Sequence, residues 1–285
     1  MTDLPRYGQR SDPAAAPACP RHPSAQSVDY CKKCNRPMCV QCAIRTDVRS
    51  ICVDCSSTVR QRIQPRGTVV TFGLIALCVG IFLIGLVSDG LWRLLAFAPD
   101  VGAGQPWRFL TTAFLHSGLW HLGFNMLALY WVGQSLEKLL GHWRFAAIYL
   151  LSAIGGTLMV LAWVLVEPGT WMQVTVGASG AVLGLFGAVL TLQRQSGLDT
   201  RQVAILIGIN VVIGFLVPNV SWQAHLGGAL VGAATAWALT AVGRPRAGVT
   251  ARTQEIRSIG TAAGIAVAQL GLIALLYMAI LEIHG

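Results

Sequence analysis

A serine stands among small residues at the head of an apolar stretch, in the segment GASGAVLG that runs from Gly177 to Gly184. A hydroxyl gains nothing from contact with lipid. Ser179 is therefore either a small residue that lets two helices touch or a nucleophile. The spacing Gly180-x3-Gly184 supports the packing interpretation directly. A serine becomes a nucleophile only when a base lies within hydrogen-bond reach, so the histidines of the chain decide between the two.

Two other apolar stretches carry the polar residues that nucleophilic chemistry needs. The segment HLGFNM contains His121 and Asn125, which share one helix face because they are four residues apart. The segment AHLGGALVG contains His225, followed by a Gly-x3-Gly pattern that again allows close helix approach. Taken singly, His121 is typical of an interfacial histidine and His225 of a buried structural one. Taken together with Ser179, they indicate a catalytic constellation.

The chemistry indicated by these residues is acyl transfer by a Ser–His dyad. Ser179 is the candidate nucleophile and His225 the candidate general base. His121, Asn125 and the Ser179 backbone N–H are the candidate donors to the oxyanion that develops during acyl transfer. No carboxylate completes a triad, because Glu137 falls at the opposite end of its predicted helix.

The amino-terminal part of the chain has a different chemistry. Seven of the eight cysteines lie between Cys19 and Cys55. Together with His22 they form four pairs, each spaced by two residues: Cys19/His22, Cys31/Cys34, Cys39/Cys42 and Cys52/Cys55. Because tetrahedral zinc takes four ligands, four pairs predict two closed structural zinc sites. A disulfide framework is the alternative, but seven is an odd number and His22 would then have no role. Reduced cysteines indicate a cytosolic location for this end of the chain.

The order of these pairs resembles a B-box-type zinc finger, with Cys52 and Cys55 where that family often has histidines. The resemblance implies a cross-braced arrangement, which the spacing alone does not establish. One zinc ion would be held by Cys19, His22, Cys39 and Cys42, and the other by Cys31, Cys34, Cys52 and Cys55. We expect this module to bind a protein partner rather than nucleic acid, because it has few aromatic residues and no basic stripe.

The remainder of the chain has the composition of a membrane protein. Of the 285 residues, 54% are hydrophobic and only 12% are charged, against about 25% charged in a soluble domain. Seven apolar runs are predicted to be helices, at 68–87, 119–138, 145–166, 174–193, 202–217, 222–242 and 260–281. The long connection 88–118 is apolar and aromatic, so we expect it to lie partly in the membrane interface. The predicted domains are a disordered tail (1–18), the zinc module (19–58), a linker (59–67) and a membrane domain (68–285).

The distribution of positive charge predicts the orientation of the membrane domain. Lys and Arg concentrate in the connections on the side where the zinc module lies, including Arg66, Lys138, Arg144, Arg194 and Arg201. This agrees with the argument from reduced cysteines. We therefore expect a multi-pass protein of a bacterial plasma membrane, with the N-terminus cytosolic and the C-terminus outside. The second, fourth and sixth runs then begin on the outer side, which brings the four candidate catalytic residues to a similar depth.

From Thr68 to its end the chain resembles a rhomboid intramembrane serine protease. The residues that carry the resemblance are Trp107-Arg108, His121-x3-Asn125, Glu137-Lys138, Gly177-Ala-Ser179-Gly180 and Ala224-His225-x2-Gly228-x3-Gly232. The resemblance implies an all-α polytopic fold, with a six-helix core and one additional C-terminal helix. It implies a structural role for Trp107 and Arg108 in a membrane-embedded first loop. It also implies cofactor-free cleavage of transmembrane proteins in the bilayer, near the outer membrane face.

One position departs from some bacterial members of that family, which carry a tyrosine four residues after the serine. Here the residue is Leu183, and we expect altered positioning of the histidine rather than loss of activity. An alternative function is a catalytically weak or inactive relative that binds membrane clients. Such a protein would be expected to lose the serine or the histidine, and both are present. A transporter is a further alternative, but it would need a polar site at the bilayer midplane.

Overall fold

The computed structural model describes residues 17–32, 34–45, 50–55, 67–88, 90–217, 220–243 and 249–284. The chain divides into two compact units between Arg66 and Gly67. Of the predicted tail only Pro17 and Ala18 lie within the described residues, and of the predicted linker only Gly67 does.

The first unit consists of three two-stranded antiparallel ribbons, in which β1 pairs with β2, β3 with β4 and β5 with β6. The strands are β1 (Ala18–Cys19), β2 (His22–Gln26), β3 (Asp29–Tyr30), β4 (Pro37–Met38), β5 (Ala43–Arg45) and β6 (Ser50–Cys52). Met38 and five cysteines are the buried residues at the centre. A core built mostly of thiols buries too little apolar surface to stabilise so small a unit alone, which is typical of metal-dependent modules.

Seven long helices form in the part of the second unit that the structure describes. They are α1 (Val69–Gly85), α2 (Leu119–Leu140), α3 (His142–Trp163), α4 (Ser179–Gln195), α5 (Arg201–Leu216), α6 (Trp222–Gly243) and α7 (Ala251–His284). Each predicted apolar run is therefore helical, and the predicted all-α fold with a six-helix core and one C-terminal helix is confirmed. By length and composition, α3, α6 and α7 are able to cross a membrane, while α1 and α5 are shorter apolar helices.

Two helices begin five or more residues from their predicted starts. The fourth run was predicted to be helical from residue 174, but α4 begins at Ser179 because Thr175 forms a β-bridge with Phe97. The last run was predicted from residue 260, but α7 begins at Ala251. Its start is capped by the hydroxyl of Thr250, which accepts a hydrogen bond from the Thr253 N–H at 3.2 Å.

Helices α4 and α6 pack with their backbones in direct contact. A Cβ on Gly228 would collide with the carbonyl oxygen of Gly180, and a Cβ on Gly232 would collide with that of Gly184. Both Gly-x3-Gly patterns therefore serve close helix packing, as predicted. This close approach sets the first turns of α4 and α6 side by side.

The connection between α1 and α2 is folded. It contains three short helices and a 3-10 turn, at Gly90–Leu95, Pro99–Gly102, Arg108–Thr111 and Thr112–Phe114. The buried Arg108 donates hydrogen bonds to the carbonyl oxygens of Ala96 and Arg93. Trp107 Nε1 donates to the carbonyl oxygen of Leu94 at 3.0 Å. Both side chains thus hold this loop together, as the resemblance implies.

A buried carboxylate joins α1 to the corner between α2 and α3. Glu137 is fully buried, and its two oxygens accept hydrogen bonds from the backbone N–H groups of Val70 (2.9 Å) and Thr71 (2.8 Å). The Thr71 hydroxyl lies 2.6 Å from Oε2, and His142 Nδ1 lies 2.6 Å from Oε1. The first N–H groups of a helix lack intrahelical acceptors, so this carboxylate caps α1. Its negative charge also interacts favourably with the positive end of the α1 helix dipole.

Candidate active site and metal clusters

The backbone immediately before α4 determines where Ser179 lies. Gly177 has a φ of +128°, a conformation that favours glycine. A Cβ on Gly177 would also lie 2.7 Å from both Cε1 and Nε2 of His121. Both the backbone conformation and the lack of space therefore require glycine at this position. The turn makes Ser179 the first residue of α4, where backbone N–H groups have no acceptor within the helix.

Ser179 and His225 are in direct contact. The distance from Ser179 Oγ to His225 Nε2 is 2.9 Å, within the range of a nucleophile–base hydrogen bond. His225 lies in the first turn of α6 and is 5% exposed. The glycine-mediated contact between α4 and α6 is what brings the two side chains together.

A backbone carbonyl orients the imidazole of His225. Its Nδ1 lies 2.9 Å from the carbonyl oxygen of Asn210 in α5. A carbonyl only accepts hydrogen bonds, so this contact assigns the proton to Nδ1 and leaves the Nε2 lone pair facing Ser179. Sequence reasoning missed this contact, and no signal could have indicated it, because every residue carries a carbonyl. The Asn210 side chain makes a local hydrogen bond, to the Leu206 carbonyl oxygen at 2.9 Å.

His121 is held in the opposite tautomer by Ser117. The Ser117 backbone N–H donates to His121 Nδ1 at 3.4 Å, and the Ser117 hydroxyl lies 3.0 Å from the same nitrogen. An N–H only donates, so Nδ1 is the acceptor and the neutral ring carries its proton on Nε2. That nitrogen is directed to the backbone at Gly177, beside Ser179. The arrangement is suited to donating a hydrogen bond to an oxyanion.

Asn125 lies one turn further along α2 and is 7% exposed. Its Nδ2 donates to the carbonyl oxygen of His121 at 2.8 Å. An amide NH₂ has two hydrogens, so this contact leaves one for another acceptor.

One cavity of about 560 Å³ contains all four predicted residues. Its polar lining is Ser117, His121, Asn125, Thr175, Ser179, Asn210, Ser221 and His225. Leu183, which stands where some bacterial rhomboid proteases carry a tyrosine, lines the same cavity. The residues predicted to act together are therefore brought together, on the first two turns of α2 and the first turns of α4 and α6.

Sequence reasoning also missed His116, which lies behind His121. The two rings meet edge to face, with centroids 5.2 Å apart. His116 is 3% exposed, and its ring nitrogens have no hydrogen-bond partner among the described residues. Such nitrogens are ordinarily satisfied by buried water. The one sign of His116 in the sequence was a second histidine close to His121, five residues before it.

The amino-terminal unit gathers its cysteines and histidine into two groups. One consists of Cys19, His22, Cys39 and Cys42, and the other of Cys31, Cys34, Cys52 and Cys55. Within each group the ligand atoms all lie within 4.8 Å of one another. This is the cross-braced grouping that the resemblance implies.

The distances within the groups fit a tetrahedral metal ion. The Sγ atoms of Cys34 and Cys52 are 3.7 Å apart, and about 3.8 Å separates two sulfurs on a tetrahedron with zinc–sulfur bonds of about 2.3 Å. The hydrogen bond with the Cys52 thiol and desolvation raise the pKa of Cys55 to about 12. A divalent cation would reverse this shift, because it favours the thiolate.

Comparison with known proteins gives this arrangement a context. The family model described as the Rhomboid domain matches residues 103–242, which contain all four candidate catalytic residues. The chain is 34% identical over 145 residues to the Putative rhomboid protease YdcA of Bacillus subtilis (strain 168), covering 48% of this chain and 70% of that protein. The chain belongs to the rhomboid family.

Two longer rhomboid relatives match the same region. Rhomboid protease GluP of Bacillus subtilis (strain 168) is 35% identical over 190 residues, which are 62% of this chain and 36% of GluP. RHOMBOID-like protein 5 of Arabidopsis thaliana is 35% identical over 139 residues, which are 46% of this chain and 43% of that protein. The chain therefore spans less than half the length of these two relatives. Rhomboid family members are generally intramembrane serine proteases, and the apolar helices make this chain a multi-pass membrane protein.

Proposed function

We propose that this rhomboid family member is an intramembrane serine endopeptidase. The observation that carries the proposal is the chain of contacts from the Asn210 carbonyl through His225 to Ser179, with 2.9 Å at each step. In the proposed reaction Ser179 Oγ attacks a peptide carbonyl while His225 Nε2 takes the hydroxyl proton. The proton then passes to the leaving amine as the peptide C–N bond breaks. Water next attacks the acyl-enzyme while His225 Nε2 takes its proton, and that proton returns to Ser179 Oγ as the acid is released.

The developing oxyanion would be met from the α2 side of the cavity. His121 Nε2–H, the free hydrogen of Asn125 and the Ser179 backbone N–H are the proposed donors. The Ser117 contact supports this role for His121, because it assigns the ring proton to Nε2, the nitrogen beside Gly177. Each such donor contributes about 10²- to 10³-fold to a rate in other serine proteases.

The proposed substrates are transmembrane proteins. A peptide bond within a helix is protected by its hydrogen bonds, so a substrate must unwind where it meets the cavity. Residues of low helix propensity at its outer end would favour unwinding. We propose that the cavity lies towards the outer membrane face, with the N-terminus in the cytosol. The distribution of Lys and Arg supports this orientation.

We further propose that the amino-terminal unit binds two structural zinc ions, one at each cysteine group, and that it binds a protein partner. Four protein ligands at each group would leave no open coordination position, so neither ion would take part in catalysis. Zinc would supply the folding free energy that a core of thiols lacks.

Reconstitution into liposomes with a single-span test substrate provides the test. We expect the wild-type protein to cleave the substrate near the outer end of its span, and Ser179→Ala to leave it intact. Ser196→Ala is the matched control, because Ser196 lies exposed at the other end of α4. If folded wild-type protein binds the test substrate without cleaving it, the inactive, client-binding alternative replaces the protease.

A further inference from the structure

The C-terminal helix α7 lies outside the six-helix core, yet it reaches the loop that supports the active site. Tyr277, near the end of α7, is 8% exposed. Its hydroxyl donates a hydrogen bond to the carbonyl oxygen of Pro99 at 2.8 Å. A buried hydroxyl costs free energy unless it is paired, so this contact holds the short helix Pro99–Gly102 against α7.

The ring of Tyr277 touches two segments at once. It meets Phe109 of the first loop edge to face, with centroids 6.3 Å apart. It meets Trp171, in the segment that leads to Ser179, in the same manner at 6.2 Å. Gly102 provides the necessary space, because a Cβ there would collide with the Tyr277 hydroxyl.

Backbone hydrogen bonds carry this support from Tyr277 to the active site. The Asp100 N–H donates to the Trp171 carbonyl oxygen at 3.1 Å, and the Thr175 N–H donates to that of Phe97 at 2.8 Å. The Gly177 N–H then donates to the carbonyl oxygen of Thr112 at 3.1 Å.

The supported segment ends directly at the nucleophile. Residues 175–177 line the catalytic cavity, and Gly177 stands two residues before Ser179. The position of the Ser179 N–H therefore depends on how this segment is held against the first loop.

We propose that Tyr277 is a positioning residue for catalysis, which acts through Pro99 and Trp171 on the segment that presents Ser179. The additional helix α7 would thus support catalysis as well as the stability of the fold. This inference rests on the proposed function. An apolar ring of the same shape would fill the site equally well, so the hydroxyl is the atom that the proposal singles out.

Tyr277→Phe is the decisive variant, because it removes the hydroxyl and keeps the ring. The measurements are the rate at which a fluorophosphonate acylates Ser179 in folded protein, and kcat and KM for a single-span substrate. We expect the acylation rate and kcat to fall about fivefold, as the loss of one hydrogen bond implies, while KM stays within about twofold. A merely stabilising contact would lower the unfolding temperature and leave the rates of the folded molecules unchanged.

Gln269→Met is the matched control on the same helix. Gln269 is also buried, and its Nε2 donates to the Leu151 carbonyl oxygen at 2.9 Å, a contact with α3 rather than with the loop. We expect this variant to unfold at a lower temperature than wild type but to be acylated at the wild-type rate. An equal loss of rate in both variants would overturn the proposal.

Gly102→Ala approaches the same contact from the opposite side. The added methyl displaces the Tyr277 hydroxyl, so we expect slower acylation than in wild type. The double variant with Tyr277→Phe should be acylated no faster than Tyr277→Phe alone, because both changes remove the same hydrogen bond. Wild-type rates in Tyr277→Phe would overturn the inference alone. A wild-type protein that is never acylated would overturn the proposed function and this inference with it.

Discussion

The two ends of the helical domain each bury ionisable groups, and the groups are satisfied to different degrees. At one end, Glu137 receives hydrogen bonds from two backbone N–H groups, a hydroxyl and an imidazole. At the other end, both nitrogens of His225 are paired, but Ser179 and Asn125 line a cavity and keep hydrogen-bonding capacity that no other described residue uses. A saturated buried group stabilises the fold and has no capacity left for a ligand. An incompletely saturated cluster that faces a cavity keeps that capacity. Substitutions at the two ends should therefore separate stability from activity.

The largest effect is expected at the nucleophile. Ser179→Ala should lower cleavage by about 10⁴-fold or more, as removal of a serine nucleophile does elsewhere. The unfolding temperature should stay at the wild-type value, because the lost hydroxyl faces a cavity. Cleavage assays and thermal unfolding in detergent are the measurements. A large drop in unfolding temperature would show that this end of the domain is also structural.

The next largest effect is expected at His121. His121→Ala should slow acylation of Ser179 by about 10²-fold, because one oxyanion donor is lost. His142→Ala is the matched control, since it removes a histidine at the other end of the domain, and it should be acylated at the wild-type rate. The acylation rate of each purified variant is the measurement. Equal rates for the two variants would contradict the assignment of His121.

The reverse pattern is expected at Glu137. Glu137→Gln replaces one acceptor oxygen by an NH₂ group that opposes the donors at the start of α1. We expect a loss of about 3 kcal/mol in the free energy of unfolding, because a buried hydrogen-bonded charge is removed. The acylation rate of the molecules that remain folded should not change. If this variant keeps wild-type stability but loses activity, the contrast between the two ends is wrong.

Substitutions in the amino-terminal unit are expected to affect catalysis least. Their effect should appear instead in the amount of bound zinc. Cys31→Ser should lower the zinc content of the purified protein by about one ion per chain, because each tetrahedral site needs all four ligands. Cys78→Ala is the matched control, since Cys78 is buried in α1 outside both groups. Elemental analysis of both variants is the measurement. Loss of metal from the Cys78 variant would contradict the assignment of the ligands.

Much of this architecture was predictable because lipid imposes a simple rule on sequence. Only helices and closed barrels satisfy the backbone in a bilayer, and apolar runs of about 20 residues have the length of helices, so the seven runs predict the seven helices. Polar residues are rare in such runs, so Ser179, His121 and His225 were conspicuous without any structural information. The pairs of cysteines were equally legible, because ligand spacing is local.

The rest depends on contacts between distant backbone atoms, which residue types do not report. The Asn210 carbonyl that orients His225 has no sequence signature. The start of α4 at Ser179 follows from a β-bridge between Phe97 and Thr175, which are far apart in the chain. The contact between Tyr277 and Pro99 is of the same kind. Such contacts form only once the helices have packed.

The most direct test of the account is covalent labelling of the purified protein with a fluorophosphonate, followed by mass spectrometry of the labelled peptide. We expect the label on Ser179 in wild-type protein, and we expect Ser179→Ala and His225→Ala both to be unlabelled. Two results would contradict an activated Ser179–His225 pair. One is a wild-type protein that stays unlabelled in detergent and in lipid with zinc restored. The other is a His225→Ala variant that is labelled at the wild-type rate.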